Sequence, residues 1–234
     1  MPVAQLIESK LFCLNSDMKR VRFMDHLNYA LQNTWQRQSH LESPIDLKVK
    51  EAHFFPWPDQ PLKLSFGTSR KVIKSTQENG DQFKAEGTLS LGEHKFTLQR
   101  LHFHDGSEHT INGQRLDGEI HLVYQDKLGA NLVLAILCQV KPSADELLPL
   151  ACIYQEQANI CKLATLLPQN LSYATYTGSL TTPPLKGGIT WVVLLSPHPI
   201  SQASKRALHT DYPNNHRQIQ PLNGRKVLYY QTSK

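Results

Sequence analysis

From Ser43 onward, short stretches of strand-like sequence alternate with two-residue turn signals, and this texture restricts the chain to a fold built on a β-sheet. Asn-Gly and Asp-Gly pairs between such stretches are strong hairpin signals, because the central positions of a tight hairpin turn require positive φ. The turn signals are Asn79-Gly80, Asn112-Gly113, Asp117-Gly118, Gly187-Gly188 and Asn223-Gly224, and the predicted strands span residues 83–86, 95–104, 119–124, 131–140 and 189–195. We therefore predict a mainly β fold.

Two regions predict helical structure beside the sheet. Residues 1–40 are predicted to be helical or irregular, since Phe23, Leu27 and Leu31 fall at helical spacing. A second helix is predicted between Glu146 and Leu167, where apolar stretches carry polar interruptions. The chain has no internal repeat and no linker, and its 234 residues are enough to bury a core without a disulfide or metal staple. These features favour a single domain with a few peripheral helices.

The distribution of charge argues against nucleic acids as partners, and the hydropathy argues against a membrane. Lys and Arg number 25 and Asp and Glu number 20, so the formal net charge is +5, but the basic residues are scattered in small groups. No apolar run is long enough to span a membrane. Between Met1 and Leu14 the apolar residues are interrupted by Gln5, Glu8 and Lys10, which does not fit a secretory signal, and we expect a cytoplasmic location. The sequence does not specify an oligomeric state.

Two histidines of the predicted strand 95–104 share one face. Side chains alternate between the two faces of a strand, so His102 and His104 project from the same side. Two imidazoles on one face of a rigid strand can bind one metal ion. Such a pair also arises by chance, so the hypothesis needs a further ligand.

A third histidine is predicted to join this pair. The turn at Asn112-Gly113 sends the chain back into residues 119–124, and antiparallel pairing with the first strand lets His121 supply a third nitrogen. Three histidines without a fourth protein ligand are typical of a catalytic zinc site that leaves one position for water, and nitrogen ligands favour zinc over magnesium or calcium. Glu119, on the same face as His121, is placed to accept the other ring N–H of that histidine.

Two groups of motifs resemble the α-class carbonic anhydrases. The first comprises residues 101–104 (LHFH), 106–110 (GSEHT) and 119–123 (EIHLV), and the second comprises residues 176–184 (YTGSLTTPP) with 189–191 (ITW). The matches follow the family order from about residue 41 to 227, whereas residues 1–40 match poorly. The resemblance implies that residues 41–234 form a catalytic domain around a twisted, mostly antiparallel central sheet of about ten strands. It also implies a zinc ion in a cone-shaped cleft and the reversible hydration of carbon dioxide to bicarbonate and a proton.

The resemblance also implies a role for each matching residue. Its zinc ligands are His102, His104 and His121, and Thr181 accepts a hydrogen bond from zinc-bound hydroxide and donates one to Glu108. Glu119 and Asn215 then support the ligands from outside. Substrate contacts are implied for Thr182 and for an apolar wall that holds carbon dioxide, made of Val123, Val133, Leu180 and Trp191.

The chain departs from the family pattern at several positions. Arg100 stands where a Gln usually accepts a hydrogen bond from the first zinc histidine, and Arg carries no acceptor, so the ring N–H of His102 needs another partner. Asp105 replaces the Trp that usually follows the second ligand. Near the place of the family's proton-shuttle histidine the chain has Arg70 and Lys71, which predicts slow proton transfer that responds to buffer.

Two other functions fit parts of the same pattern. One is a catalytically weak or silent protein of this family that serves as a binding protein, although such relatives usually lose a zinc histidine and none is lost here. The other is a zinc hydrolase on an unrelated β fold, which predicts peptidase or amidase turnover and no hydration of carbon dioxide.

Overall fold

Strands make up most of the regular structure in a computed structural model that describes residues 27–68, 71–77 and 80–232. In chain order they are β1 (Asp46–Leu47), β2 (Phe54–Pro56), β3 (Leu62–Phe66), β4 (Ile73–Gln77), β5 (Gly80–Lys84), β6 (Gly87–Leu91), β7 (His94–Asp105), β8 (Thr110–Ile111), β9 (Gln114–Arg115), β10 (Gly118–Gln125), β11 (Asn131–Val140), β12 (Tyr173–Ser179), β13 (Gly187–Ile200) and β14 (Leu228–Gln231). Two α-helices accompany them, α1 (Leu150–Tyr154) and α2 (Gln202–Asp211), with short 3-10 helices at Tyr29–Thr34, Val49–Glu51, Trp57–Asp59 and Ile160–Leu166.

Within the described residues, eleven strands belong to one mixed sheet. Its central order is β2-β14-β12-β13-β11-β10-β7-β5-β4, while β6 pairs with both β7 and β3. The pairs β11–β13 and β14–β2 are parallel and the other pairs are antiparallel. The prediction of a mainly β domain around a mostly antiparallel sheet of about ten strands is confirmed. A small sheet of β1, β8 and β9 lies apart from it.

Strand alternation gives the central sheet two different faces. In β10, Ile120 and Leu122 belong to the larger apolar core, which also contains buried residues of α1 and α2. Val123 of the same strand belongs to a second apolar cluster on the opposite face. Because side chains alternate, His121 projects on the same side as Val123. The side chain of His121, a predicted metal ligand, therefore stands on the face of the second cluster.

The predicted helix between Glu146 and Leu167 is wrong as a single element. Helix α1 ends at Tyr154, where the backbone N–H groups of Gln157 and Ala158 both donate to the Cys152 carbonyl oxygen. Glu156 takes a φ of 55°, which lies in the left-handed region and closes the helix. A 3-10 helix then covers Ile160–Leu166. The polar residues between the two apolar stretches therefore form a break, which periodicity alone did not reveal.

The N-terminal prediction is only partly within the described residues. Residues 1–26, which include the stretch used to predict a cytoplasmic location, lie outside them, and that location stays a prediction. Residues 27–40 contain the 3-10 helix Tyr29–Thr34, whose first turn is capped by the side chain of Asn28. Among the helices of the described chain, none has the length and apolar character needed to cross a membrane.

The hairpin predicted at Asn112-Gly113 is confirmed. Strands β8 and β9 pair across this turn, and Asn112 and Gly113 take φ values of 50° and 82°. Positive φ at both central residues is the signature of the type I′ turn, which Asn-Gly favours. The returning chain enters β10, which pairs antiparallel with β7 as predicted.

Candidate metal centre

The three predicted histidines converge from two paired strands. In the ladder between β7 and β10, His121 is the direct partner of His102, and Glu119 is the partner of His104. The Nδ1 atom of His121 lies 3.2 Å from Nε2 of His102 and 3.1 Å from Nε2 of His104. One ligand atom from each of the three residues falls within 4.8 Å of the others. The register of one antiparallel ladder thus assembles the whole set.

In two of the histidines the ring proton sits on the outer nitrogen, so the converging nitrogen is an acceptor. Nδ1 of His104 lies 2.6 Å from the Asn215 carbonyl oxygen, which can only accept, so this nitrogen carries the proton. Nε2 of His121 likewise donates to Glu119 Oε1 at 2.7 Å. His104 Nε2 and His121 Nδ1 therefore face each other as two lone pairs without a hydrogen between them. A cation satisfies this arrangement.

The spacing and chemistry of the set fit zinc. Two nitrogens each bonded at 2.0–2.1 Å to a tetrahedral ion stand about 3.3–3.4 Å apart, close to the observed separations. Burial is the largest cause that holds the pKa of His102 well below its ordinary value, and the electrostatic effects of His121, His104 and Arg100 lower it further. Burial also lowers the pKa of His104. Both rings are therefore neutral at physiological pH, which is the form that binds metal.

Glu119 is held by a buried hydrogen-bond network. Its Oε1 accepts from Nδ1 of His109 and Nε2 of His121, both at 2.7 Å, and its Oε2 accepts from the His109 backbone N–H. Burial alone would raise the pKa of Glu119, but His109 and the hydrogen bonds from both histidines hold it well below its ordinary value. His109 Nε2 contacts the hydroxyl of Tyr176, which donates to Ser43. Glu119 therefore lies where the sequence predicted, beside His121.

His109, Glu119 and His121 also satisfy the distance criterion for a metal-binding group. Their converging atoms are already joined by the two hydrogen bonds to Glu119 Oε1. A cation there would displace both protons. We therefore interpret this group as the support of His121 and not as a second metal centre.

Asp105 anchors the segment that supports His104. Its carboxylate accepts hydrogen bonds from Lys205 Nζ, from His209 Nδ1 at 2.8 Å and from the Asn214 backbone N–H at 2.9 Å. Its own backbone N–H donates to Asn215 Oδ1 at 2.6 Å. The carbonyl of the same Asn215 accepts from His104. The Asp105 side chain thus ties helix α2 and residues 214–215 to the strand that carries the ligand.

The replacement at Arg100 leaves His102 without an outer partner. Nδ1 of His102 is buried and has no hydrogen-bond partner among the described residues, and the same holds for Nε of Arg100. Neither a backbone carbonyl nor another described side chain takes the place of the usual acceptor. His102 is consequently the least supported of the three predicted ligands.

Glu108 lies at the centre, but its predicted hydrogen bond with Thr181 is not formed. Glu108 Oε1 accepts from the Arg217 backbone N–H at 2.8 Å. Its Oε2 is buried without a hydrogen-bond partner in the described part of the chain. That oxygen lies 3.6 Å from His104 Nε2 and 4.0 Å from His121 Nδ1, farther than those nitrogens lie from each other. Glu108 therefore borders the metal-binding set with a free acceptor.

A cavity of about 210 Å³ opens beside the three histidines. The described residues that line it are Gln82, Arg100, His102, His104, His121, Val123, Val133, Leu180, Thr181, Thr182, Pro183, Pro184 and Trp191. Every residue predicted to contact substrate is among them. Val123, Val133 and Trp191 are direct neighbours across β10, β11 and β13 and form one cross-strand row. The structure thus brings the predicted site residues together, while their catalytic roles stay predictions.

Most of the supporting network was not predicted from the sequence. His109, Tyr176, Arg217, Lys205 and His209 all contact residues of the site. His109 and Tyr176 lie inside the recognised motifs, and that position is the signal that could have found them. Arg217 and Lys205 reach Glu108 and Asp105 across about 100 residues of sequence, and no local pattern reports such contacts.

Comparisons with known proteins point to one family. The sequence model for the eukaryotic-type carbonic anhydrases matches residues 30–231. A carbonic anhydrase from Klebsiella pneumoniae is 34% identical over 202 residues, which cover 80% of this chain and 79% of the relative. Dioscorin dioA3 from Dioscorea japonica is 30% identical over 211 residues, which cover 82% of this chain and 76% of the relative. The α-carbonic anhydrase of Thermovibrio ammonificans, solved with the inhibitor sulfanilamide, superimposes with a TM-score of 0.69 at 28% identity, covering 86% of this chain and 90% of that one.

We predict that Asp105→Asn accelerates the release of zinc about three- to tenfold. The neutral amide loses the charged hydrogen bonds from Lys205 and His209, so the segment that holds His104 loosens. The effect should be smaller than the roughly 10- to 100-fold loss that follows removal of a direct partner of a ligand. Release of zinc to a chromophoric chelator measures it.

Asp126→Asn is the matched control, because Asp126 accepts backbone hydrogen bonds from Leu128 and Ala130 in the β10–β11 turn. It should release zinc at the unaltered rate. A lower melting temperature in Asp105→Asn with unchanged zinc release would assign Asp105 to stability alone.

Proposed function

The chain belongs to the eukaryotic-type, or α-class, carbonic anhydrase family, and we propose that it catalyses the zinc-dependent, reversible hydration of carbon dioxide to bicarbonate and a proton. One observation carries the proposal: His104 Nε2 and His121 Nδ1 lie 3.1 Å apart with no hydrogen between them, so each directs a lone pair toward the other. His102 completes the set. Carbonic anhydrases are themselves the standard case in which bound zinc acidifies a water enough to supply hydroxide near neutral pH.

The protein's contribution begins with orienting the three imidazoles. Glu119 fixes the ring of His121, and the Asn215 carbonyl fixes the ring of His104, each through a hydrogen bond of 2.7 Å or less. Such outer partners set the tautomer and make the ligand nitrogen more basic. The rings are therefore preorganised to hold the ion in one geometry.

Thr181 and Glu108 are proposed to orient the nucleophile. Burying an acceptor without a donor is costly, so the free Oε2 of Glu108 calls for a hydroxyl group beside it. The Thr181 side chain is buried and lines the cavity next to the ligands. When its hydroxyl donates to Glu108, its oxygen lone pairs face the cavity, and it can accept the hydrogen of the attacking hydroxide. This polarity turns a lone pair of the nucleophile toward carbon dioxide.

The apolar row of Val123, Val133 and Trp191 is proposed to hold carbon dioxide, with Leu180 beside it. Carbon dioxide is linear and nonpolar, so it gains little from hydrogen bonds and is favoured by an apolar wall. Thr182 and Thr181 supply polar groups at the rim where bicarbonate forms. Placing the gas next to the nucleophile lowers the entropic cost of their encounter.

A catalytically weak or silent binding protein is the second candidate. Two observations support this candidate: the similarity to dioscorin dioA3 and the absence of the hydrogen bond between Thr181 and Glu108. All three ligand histidines are present, which favours the enzyme. The two candidates differ in turnover and not in metal binding.

We expect the purified protein to contain one zinc per chain and to hydrate carbon dioxide in stopped-flow measurements. Removing the metal with a chelator should abolish turnover, and added zinc should restore it, because His102, His104 and His121 are the only histidines among the described residues that line the cavity. His104→Ala should neither retain zinc nor turn over. Zinc at full occupancy without turnover above the buffer rate would favour the binding protein.

We predict that Thr181→Val lowers kcat/KM for carbon dioxide about a hundredfold while zinc content stays unchanged. Valine keeps the shape but cannot donate to Glu108, so the nucleophile loses its orientation, an effect in the range of lost positioned donors. The control is Thr182→Val, which removes a hydroxyl from the same cavity and should cost less than about tenfold. Equal losses in the two variants would refute the relay.

We predict that turnover rises with imidazole concentration at constant pH and ionic strength. The ligands are the only histidines among the described residues that line the cavity. Lys71 lies outside that lining and pairs through its backbone with Asn159, and Arg70 is not among the described residues. Proton transfer to solvent therefore depends on buffer. A high rate that does not respond to imidazole would show that another group carries the proton.

A further inference from the structure

One basic side chain stands in the wall of the cavity. Arg100 lies two residues before His102, so strand alternation places it on the ligand face of β7, and it lines the cavity. Its direct partner across the ladder is Val123. Arg100 therefore belongs to the cross-strand row that continues through Val133 and Trp191. A guanidinium group thus borders an otherwise apolar wall, one row from the metal ligands.

The charge of Arg100 has no counter-charge among the described residues. No ion pair or hydrogen bond joins its side chain to any of them, and its Nε is buried without a partner. Burial is the one cause that shifts its pKa, and it lowers it. A guanidinium group nevertheless keeps its proton at neutral pH. Both oxygens of Glu119 are already occupied by His109 and His121. Neither Glu119 nor Glu108 contributes to the pKa shift of Arg100, so the described residues leave this charge to a partner in the cavity.

We propose that Arg100 forms an anion subsite in the cavity wall, which selects ligands that carry a carboxylate beside the group bound at the metal. The planar fork of a guanidinium group matches a carboxylate through two parallel hydrogen bonds. Half-buried and next to apolar residues, this pair is screened less than a surface pair. The proposal rests on the metal site of the proposed function, and it adds a specificity that a neutral amide at position 100 does not supply.

The alternative is that Arg100 only packs its methylene stem against the wall and directs its charge to bulk water. In that case the cavity has no preference between a charged and a neutral ligand of the same shape. A pair of matched ligands separates the two situations. Both carry a benzenesulfonamide head, the group found in the sulfanilamide complex of the Thermovibrio ammonificans relative.

The experiment measures the dissociation constants of 4-sulfamoylbenzoate and 4-sulfamoylbenzamide for zinc-saturated protein by calorimetry. The two ligands share the head and ring and differ only in a carboxylate against a neutral amide. The change of their affinity ratio from one variant to another cancels the contribution of each ligand's head and any change in zinc chemistry that affects both ligands equally. We expect the ratio to favour the carboxylate in the unaltered protein and to fall about three- to tenfold in Arg100→Gln.

Lys84→Gln is the matched control, because Lys84 is an exposed cation of the neighbouring strand β5 that does not line the cavity. It should keep the unaltered ratio, and Arg100→Lys should retain part of the preference. Arg100→Met replaces Arg100→Gln if the latter does not retain zinc.

An affinity ratio that is the same in the unaltered protein and in Arg100→Gln overturns the subsite. An equal fall of the ratio in Lys84→Gln also overturns it, because the preference then reflects total charge. If neither ligand binds the zinc-saturated protein, the open metal position that the proposed function requires is refuted together with the subsite. If both ligands bind tightly and their affinity ratio is the same in the unaltered protein and in Arg100→Gln, the subsite alone is refuted.

Discussion

The antiparallel ladder between β7 and β10 is the constraint on which the rest of the site depends. It sets His121 opposite His102 and Glu119 opposite His104. A slip of one residue in this ladder would turn His121 to the opposite face and bring Ile120 or Leu122 into the cavity. The register is protected because those two residues are buried in the larger core. Burial of the apolar face therefore enforces the position of the polar one.

Most buried polar groups around the predicted ligands are hydrogen-bonded to one another, and a few specific atoms are not. A continuous chain of contacts runs from His121 through Glu119, His109 and Tyr176 to Ser43. Partly satisfied networks are costly, so unpaired atoms mark places where something else completes the structure. His102 Nδ1, Arg100 Nε and Glu108 Oε2 are such atoms, and all belong to residues at the centre or its cavity.

The sequence predicted the parts of the site that follow from local rules. Alternation along a strand placed His102 and His104 on one face, and the Asn112-Gly113 turn brought His121 beside them. The fold class followed from the same strand and turn signals. The support by Asn215 followed only from the family resemblance and from no local rule, because the Asn215 carbonyl that accepts from His104 is 111 residues away. The break between α1 and the following 3-10 helix was also missed, since a backbone turn at Glu156 leaves the apolar pattern unchanged on both sides.

The parallel pairing of β11 with β13 separates the assembly of the two halves of the cavity. Strands β7, β10 and β11 follow one another closely in the chain, so the ligand half forms from contacts of short sequence separation. Trp191 reaches Val133 only after the chain has left the sheet after β11 and returned through α1 and β12. Closing such a long loop costs conformational entropy, and this cost slows the formation of the contact. Nascent chains should consequently bring the three imidazoles together before they possess a surface on which a gas molecule can settle.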